Sequence, residues 1–231
     1  MGSNIARSAS VTRIKDSGEK TMTAATARGG EVLELAQKRV APVMAMLATC
    51  EQQLKEACTE DDIKHAALLA KDNESDLEIG AVLNEIWNLM GRPKQSIDYD
   101  LIVNGGKSVW TDGDPAKQPA MMSLLAQNIR GSSHPKLAEK KEDWAKRIEA
   151  KAAAQAEAAK PAEASYARVT FLTLQRRTLA DALQVALVRF KRDMKNQGMT
   201  EAQVHEIIPD VPPRTSRAQP TTEKPTPPAP S

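Results

Sequence analysis

A run of apolar residues, spaced alternately four and three positions apart, restricts the fold of this chain more than any other feature. It begins at Ala36, ends at Ala57 and includes Val40, Val43, Leu47, Cys50 and Leu54. This spacing places the side chains on one face of an α-helix. Pro42 lies inside the run and predicts a kink or a split, because proline lacks the backbone N–H that a helix uses. Aromatic residues make up only 3% of the chain, which further favours helices over sheets.

Capping residues predict two more helices in the first half of the chain. Thr59 with Asp62, and Ser75 with Glu78, have the spacing of capping boxes, in which side chains satisfy the first backbone amides of a helix. We therefore expect a short helix after Thr59 and a second helix after Ser75. Gly91 is expected to end the second helix, because glycine adopts the left-handed cap conformation easily.

Four helices are predicted in the second half. The first covers residues 119–129, and the second begins near Ser133 and is expected to break or hinge at Pro161. The third covers residues 162–197. A final short helix follows, with Thr200 as its capping residue.

Residues 97–110 carry the one strand signal. Apolar residues alternate with other residues before Asn104 and Gly105, a pair that favours tight hairpin turns because both residues tolerate positive φ. The segment therefore predicts a small β-hairpin. Since an isolated hairpin is marginally stable in water, it is expected to pack on the helices.

The predicted fold is mainly α: a helical bundle with a small β-hairpin insertion and disordered arms at both ends. Residues 1–30 form a predicted disordered basic arm, and Met22 is an alternative start. Residues 31–131 are expected to form a helical domain, and 132–208 to supply long helices that complete the bundle. Residues 209–231, rich in proline, are predicted to be a disordered tail.

Charge is distributed unevenly along the chain. Residues 31–90 carry a net charge of −7, whereas residues 168–195 carry +5. These segments could neutralise each other within the chain or between subunits. Alternatively, the basic segment contacts nucleic acid, an anionic membrane or an acidic partner. Its candidate binding residues are Arg168, Arg176, Arg177, Arg189, Lys191, Arg192 and Lys195.

The sequence predicts no catalytic, cofactor or metal site. Cys50 and Cys58 lack the paired spacing of a zinc site, and no nucleophile motif is present. The remaining hypothesis for an enzyme is a site that forms only in the fold, around Asp98, Asp100 and Trp110. No apolar run is long enough for a membrane span. A cytoplasmic location is expected, or a virion if the protein is viral.

These observations favour a non-enzymatic structural subunit of a homo-oligomeric assembly, with a virion or phage component as one example. Self-association and other protein subunits are the expected partners, and no cofactor is expected. The alternative hypothesis is a nucleic-acid-binding helical protein that uses its basic C-terminal helix. The candidate interface residues are Val40, Val43, Leu47, Leu54, Leu179, Leu183, Leu187 and Phe190.

Overall fold

The structure is a computed structural model that describes residues 10–208, and within this range the chain is mainly α-helical and contains no β-strand. The chain divides into two compact units. Within the described range, unit 1 comprises residues 10–48 and 176–208, and unit 2 is Thr49–Gln175. The helices are α1 (Val11–Arg28), α2 (Gly30–Arg39), α3 (Ala41–Leu89), α4 (Ile97–Val103), α5 (Ser108–Thr111), α6 (Gln118–Gly131), a 3-10 helix (Pro135–Leu137), α7 (Lys141–Asn196) and α8 (Glu201–Ile207).

Unit 1 is built from α1, α2, the start of α3, the end of α7 and α8. Its core includes fully buried Ile14, Val40, Leu47, Leu183 and Phe190. The apolar run that begins at residue 36 therefore packs against the apolar face of α7. The predicted domain segments 31–131 and 132–208 each contribute residues to both units.

The predicted split at Pro42 is confirmed. Helix α2 ends at Arg39 and α3 begins at Ala41, so Pro42 occupies the first turn of α3. The first backbone amides of a helix have no intrahelical acceptor, and proline is tolerated there for that reason.

The predicted disordered arm is wrong for residues 11–28, which form α1. The Ser10 hydroxyl caps this helix and accepts a hydrogen bond from the Arg13 amide at 3.4 Å. Small residues allow α1 to pack closely: a Cβ atom on Gly18 would lie 2.5 Å from Met44 Sδ. Composition indicated disorder because this helix packs largely through small side chains. Residues 1–9 of the predicted arm and the predicted tail at 209–231 lie outside the described residues.

Unit 2 is organised around the antiparallel pairing of α3 with α7. Glu60 contacts Arg168, and Glu78, which lies further along α3, contacts Arg147, which lies earlier in α7. Helices α4, α5 and α6 and the 3-10 helix pack against one end of this pair. The core there includes Ile86, Ile102, Trp110, Leu125, Ile129, Leu137, Trp144 and Ile148.

The predicted β-hairpin at residues 97–110 is wrong, because this segment forms α4 and α5. The Ser96 hydroxyl caps α4 by accepting a hydrogen bond from the Tyr99 amide. Asn104 has a φ of 41°, in the left-handed region, and ends α4. Positive φ at an Asn-Gly pair suits a helix C-terminus as well as a hairpin turn, so the turn signal did not decide between them.

The predicted helix starts at Thr59 and Ser75 are also wrong, since both residues lie inside α3. The Thr59 hydroxyl donates to the Lys55 carbonyl at 3.1 Å, and the Ser75 hydroxyl donates to the Lys71 carbonyl at 2.9 Å. Hydroxyls that bond to the carbonyl four residues earlier belong to helix interiors. Thr59 and Ser75 therefore form hydrogen bonds inside α3 and do not cap the start of a helix.

Helix α7 continues through Pro161, so the predicted break there is wrong. Ala159 and Ala162, which lie close to Pro161 on either side, pack against Leu68 of α3. The helix predicted at residues 119–129 forms as α6. The predicted cap of the last helix is confirmed, since Thr200 caps α8 in a complete capping box.

Candidate functional site

Three of the predicted basic residues form ion pairs within the chain or are partly buried. In unit 2, Arg168 Nη1 lies 2.8 Å from a Glu60 carboxylate oxygen. In unit 1, Arg177 Nη2 lies 3.0 Å from an Asp181 carboxylate oxygen, and Arg176 is partly buried. The candidate face is therefore shared between the two units, and part of its charge is neutralised locally.

The other basic candidates lie near the end of α7 in unit 1. Lys191 pairs with Glu201 of α8 at 2.9 Å, and Lys195 contacts the other carboxylate oxygen of Glu201. The hydrogen bond from Lys195 is the largest cause that lowers the pKa of Glu201, to about 2. Arg189 and Arg192 are exposed and form no ion pair with any residue in the range 10–208.

A second set of ion pairs links α3 and α7 inside unit 2. Arg147 donates to Glu78 at 2.7 Å and to Glu85 at 3.0 Å. The buried Trp144 indole also donates to Glu85 at 2.7 Å, and this hydrogen bond is the main cause of the lowered pKa of Glu85. The acidic α3 is thus neutralised in part by basic residues of the same chain.

Most of the predicted interface residues are used inside the chain. Unit 1 buries five of them completely or nearly so, and it partly buries two more, while the eighth is partly buried in unit 2. The buried residues are Val40, Leu47, Leu183, Leu187 and Phe190, and the partly buried residues are Val43, Leu179 and Leu54. Most of the apolar surface of these eight residues is therefore buried within the single chain.

A different set of apolar residues is exposed on α3 in unit 2. We name it the α3 seam, and it consists of Ile63, Ala66, Ala70 and Leu77. Ile63 is 62% exposed and Leu77 is 76% exposed. The residues are spaced three, four and seven positions apart, which places them on one helix face.

A matching exposed set occurs on α7 in unit 2. This α7 seam consists of Ala164, Ala167, Phe171 and Leu174. Phe171 is 64% exposed and Leu174 is 65% exposed. The spacing of three, four and three residues again defines one face. These spacings are visible in the sequence, but the stronger inward-facing pattern on the same helices masked them.

Each seam points away from the partner helix of the α3–α7 pair. Ala70 stands two residues after Leu68, and Ala164 stands two residues after Ala162; Leu68 and Ala162 belong to the buried contact between α3 and α7. Two residues correspond to a rotation of about 200° around a helix. Since Leu68 faces the α7 residue Ala159, Ala70 lies on the opposite side. The two seams therefore lie on opposite sides of the helix pair.

Unit 2 also contains a buried polar cluster. The fully buried Gln155 amide donates to Asp72 at 2.8 Å and to the Pro115 carbonyl at 2.9 Å. The Gln118 amide donates to Asp76 at 2.6 Å. Burial, followed by the nearby Asp76 charge, raises the pKa of Asp72. These contacts bridge α3, α6 and α7, which gives the cluster a structural role.

The residues considered for a fold-dependent catalytic site do not converge. Asp98 and Asp100 are exposed in the first turn of α4, where carboxylates interact favourably with the helix dipole. Trp110 is buried, and its indole donates to the Val103 carbonyl. Cys50 is buried and Cys58 is exposed, and no metal-binding group of three His, Cys, Asp or Glu residues occurs within the described range.

Comparison with protein families, characterised proteins and solved structures finds no match to this chain. Among the described helices, none combines the length and the apolar character required to cross a membrane.

Proposed function

We propose that this chain is a non-enzymatic structural subunit that self-associates into a homo-oligomeric assembly. The observation that carries the proposal is the exposure of large apolar side chains along the outer faces of the two long helices in unit 2. Ile63 and Leu77 supply it on α3, and Phe171 and Leu174 supply it on α7. Aligned, exposed apolar residues of this size are typical of protein interaction surfaces.

The packing of unit 2 explains why these faces remain exposed. Near the α3 seam, the apolar part of the contact between the two helices is formed by Leu68, Ala159 and Ala162. Small side chains let the helices approach closely while burying little apolar surface. The large apolar residues on the outer faces are left for contacts outside the helix pair.

Self-association is favoured over nucleic-acid binding by the charge arrangement. Arg168, Arg177, Lys191 and Lys195 form ion pairs within the chain. Phosphate contacts would have to compete with these pairs. Only Arg189 and Arg192 among the candidates are exposed without such a pair in the described range, and a two-residue patch is small for a nucleic-acid surface.

Light scattering coupled to size exclusion tests the proposal on the full chain. We expect a mass above the 25.1 kDa of one chain that increases with protein concentration and does not depend on added duplex DNA or single-stranded RNA. A mass that stays at one chain from low micromolar to high concentration would refute it. A monomer that shifts with nucleic acid only at low salt would instead support the nucleic-acid hypothesis.

A further inference from the structure

We infer that copies of this chain join head to tail, with the α7 seam of one copy packed on the α3 seam of the next. This inference rests on the proposed self-association and specifies its surfaces. The α3 seam and the α7 seam lie on opposite sides of the same helix pair, so one copy presents two different apolar faces. A contact between two different faces is heterologous, so each copy can bind one neighbour through each face, and the copies form an open chain or, where the rotation closes, a ring.

The two seams differ in the sizes of their side chains. On the α3 seam, small Ala66 and Ala70 follow the larger Ile63, and the exposed polar residues Asn73 and Glu74 stand between Ala70 and Leu77. The α7 seam begins with small Ala164 and Ala167 and ends with Phe171 and Leu174, two large exposed side chains that form a projection. Large side chains that insert between small ones bury more apolar surface than large side chains set against each other.

Charge disfavours pairing of the α3 seam with itself. Residues 60–78, which contain this seam, carry seven acidic and two basic residues, for a net charge of −5. Residues 160–174, which contain the α7 seam, carry two basic residues and one acidic residue, for a net charge of +1. Arg168 in the second segment already pairs with Glu60 of the same chain, so charge acts mainly against the α3–α3 contact. Two α3 segments of net charge −5 repel each other, whereas the α7 segment is close to neutral and does not repel an α3 segment.

Pairing of the α7 seam with itself would leave the α3 seam uncovered on every copy. In the head-to-tail arrangement, each interior copy covers both seams. The α3 seam extends from Ile63 to Leu77, which is about 21 Å of helix at about 1.5 Å per residue. A helix contact of this length belongs among small interfaces, below about 1,200 Å². Association is therefore weak for each contact and depends strongly on concentration.

Two charged variants of the full chain test the arrangement. Ala70→Glu blocks the α3 seam and leaves the α7 seam intact, whereas Phe171→Glu does the reverse. Both positions are exposed on helices, and circular dichroism verifies that each variant retains its helix content. Leu101→Glu on α4 is the matched control, since Leu101 is 69% exposed in the same unit but belongs to neither seam.

Sedimentation velocity is measured for each protein alone and for an equimolar mixture of the two seam variants. We expect the wild type and Leu101→Glu to form a concentration-dependent series of species, and each seam variant to be monomeric. In the mixture, the intact α7 seam of Ala70→Glu binds the intact α3 seam of Phe171→Glu. The mixture should therefore contain a species of twice the 25.1 kDa chain mass and nothing larger.

The possible failures separate this inference from the proposed function. If the wild type assembles and either seam variant assembles equally well, the seam assignment is wrong and self-association stands. If both variants are monomeric and their mixture also remains monomeric, the contact is not heterologous. If the wild type itself remains monomeric at every concentration, both the proposed function and this inference are refuted.

Discussion

Replacement of Pro161 by alanine should stabilise unit 2. Pro161 is an internal, exposed residue of α7, and it cannot donate the backbone hydrogen bond that the Glu157 carbonyl would accept in a regular helix. An internal proline costs a helix about 3 kcal/mol relative to alanine. Loss of proline's restriction on the unfolded chain offsets about 1 kcal/mol of this gain. The free energy of unfolding should therefore rise by about 2 kcal/mol in Pro161→Ala.

Urea unfolding measures this change, and Pro42→Ala provides the control. Pro42 occupies the first turn of α3, where its missing amide proton costs nothing, so its replacement should lower the free energy of unfolding by about 1 kcal/mol or less. Trp87, Trp110 and Trp144 all lie in unit 2, so their fluorescence reports on that unit, while circular dichroism follows both variants. An unchanged or lower urea midpoint for Pro161→Ala would refute the argument that Pro161 destabilises a continuous α7.

Further predictions concern the polar contacts. Trp144→Phe should lower the free energy of unfolding in urea by about 3 kcal/mol, because it removes a hydrogen bond to the Glu85 carboxylate and leaves a cavity in the core. Asp72→Asn should raise the melting temperature at pH 7 but not at pH values below about 3.8, the ordinary aspartate value. The raised pKa of Asp72 means that ionisation of this carboxyl is less favourable in the folded state than in the unfolded state. The free energy of unfolding therefore falls as pH rises through that pKa. Asparagine cannot ionise, so the variant removes this loss of stability while keeping an acceptor oxygen. Glu201 has a lowered pKa, so the stability that it contributes is present above pH 4.5 and is lost as pH falls toward about 2. An NMR titration should place its midpoint near 2, and Glu201→Gln should lower the melting temperature only above that pH.

The sequence predicted the structure correctly at positions where the residue types allow only one local conformation. The capping box at Thr200 and the split at Pro42 were both predicted correctly. In each case the sequence feature acts on the backbone atoms next to it. Distant residues had little opportunity to change the outcome.

Prediction failed where tertiary packing selected among locally acceptable conformations. Ser75 can cap a helix or bond inside one, and α3 continues through it to Ile79 and the following residues, which pack against α6 and α7. Asn104 can turn a hairpin or end a helix, and burial of Ile102 in unit 2 accompanies the helical choice. Nothing near these residues in the sequence distinguishes the alternatives.

The same dependence on packing concealed the candidate surfaces. The inward face of α3 carries the strongest apolar pattern, and the sequence therefore predicted that this face forms the interface between subunits. Residues of that face such as Leu47 are instead buried within the single chain. Once α7 occupies that inward face, the weaker pattern of Ile63 and Leu77 is what remains exposed.

The weak inner contact and the exposed outer faces have a common physical origin. Around Leu68, the α3–α7 contact relies on alanines, and hydrogen bonds such as that from Ser165 to Asp61 at 2.7 Å add direction to it. Alanines and polar pairs fix the register of two helices but bury little apolar surface. If larger residues occupied the inner positions, the pair would be more stable alone and would have less need of outer partners. Phe171 and Leu174 are exposed on the outside instead, so under the proposed head-to-tail contact a second copy that covers them would stabilise this part of the protein. Folding stability and assembly would then be thermodynamically linked.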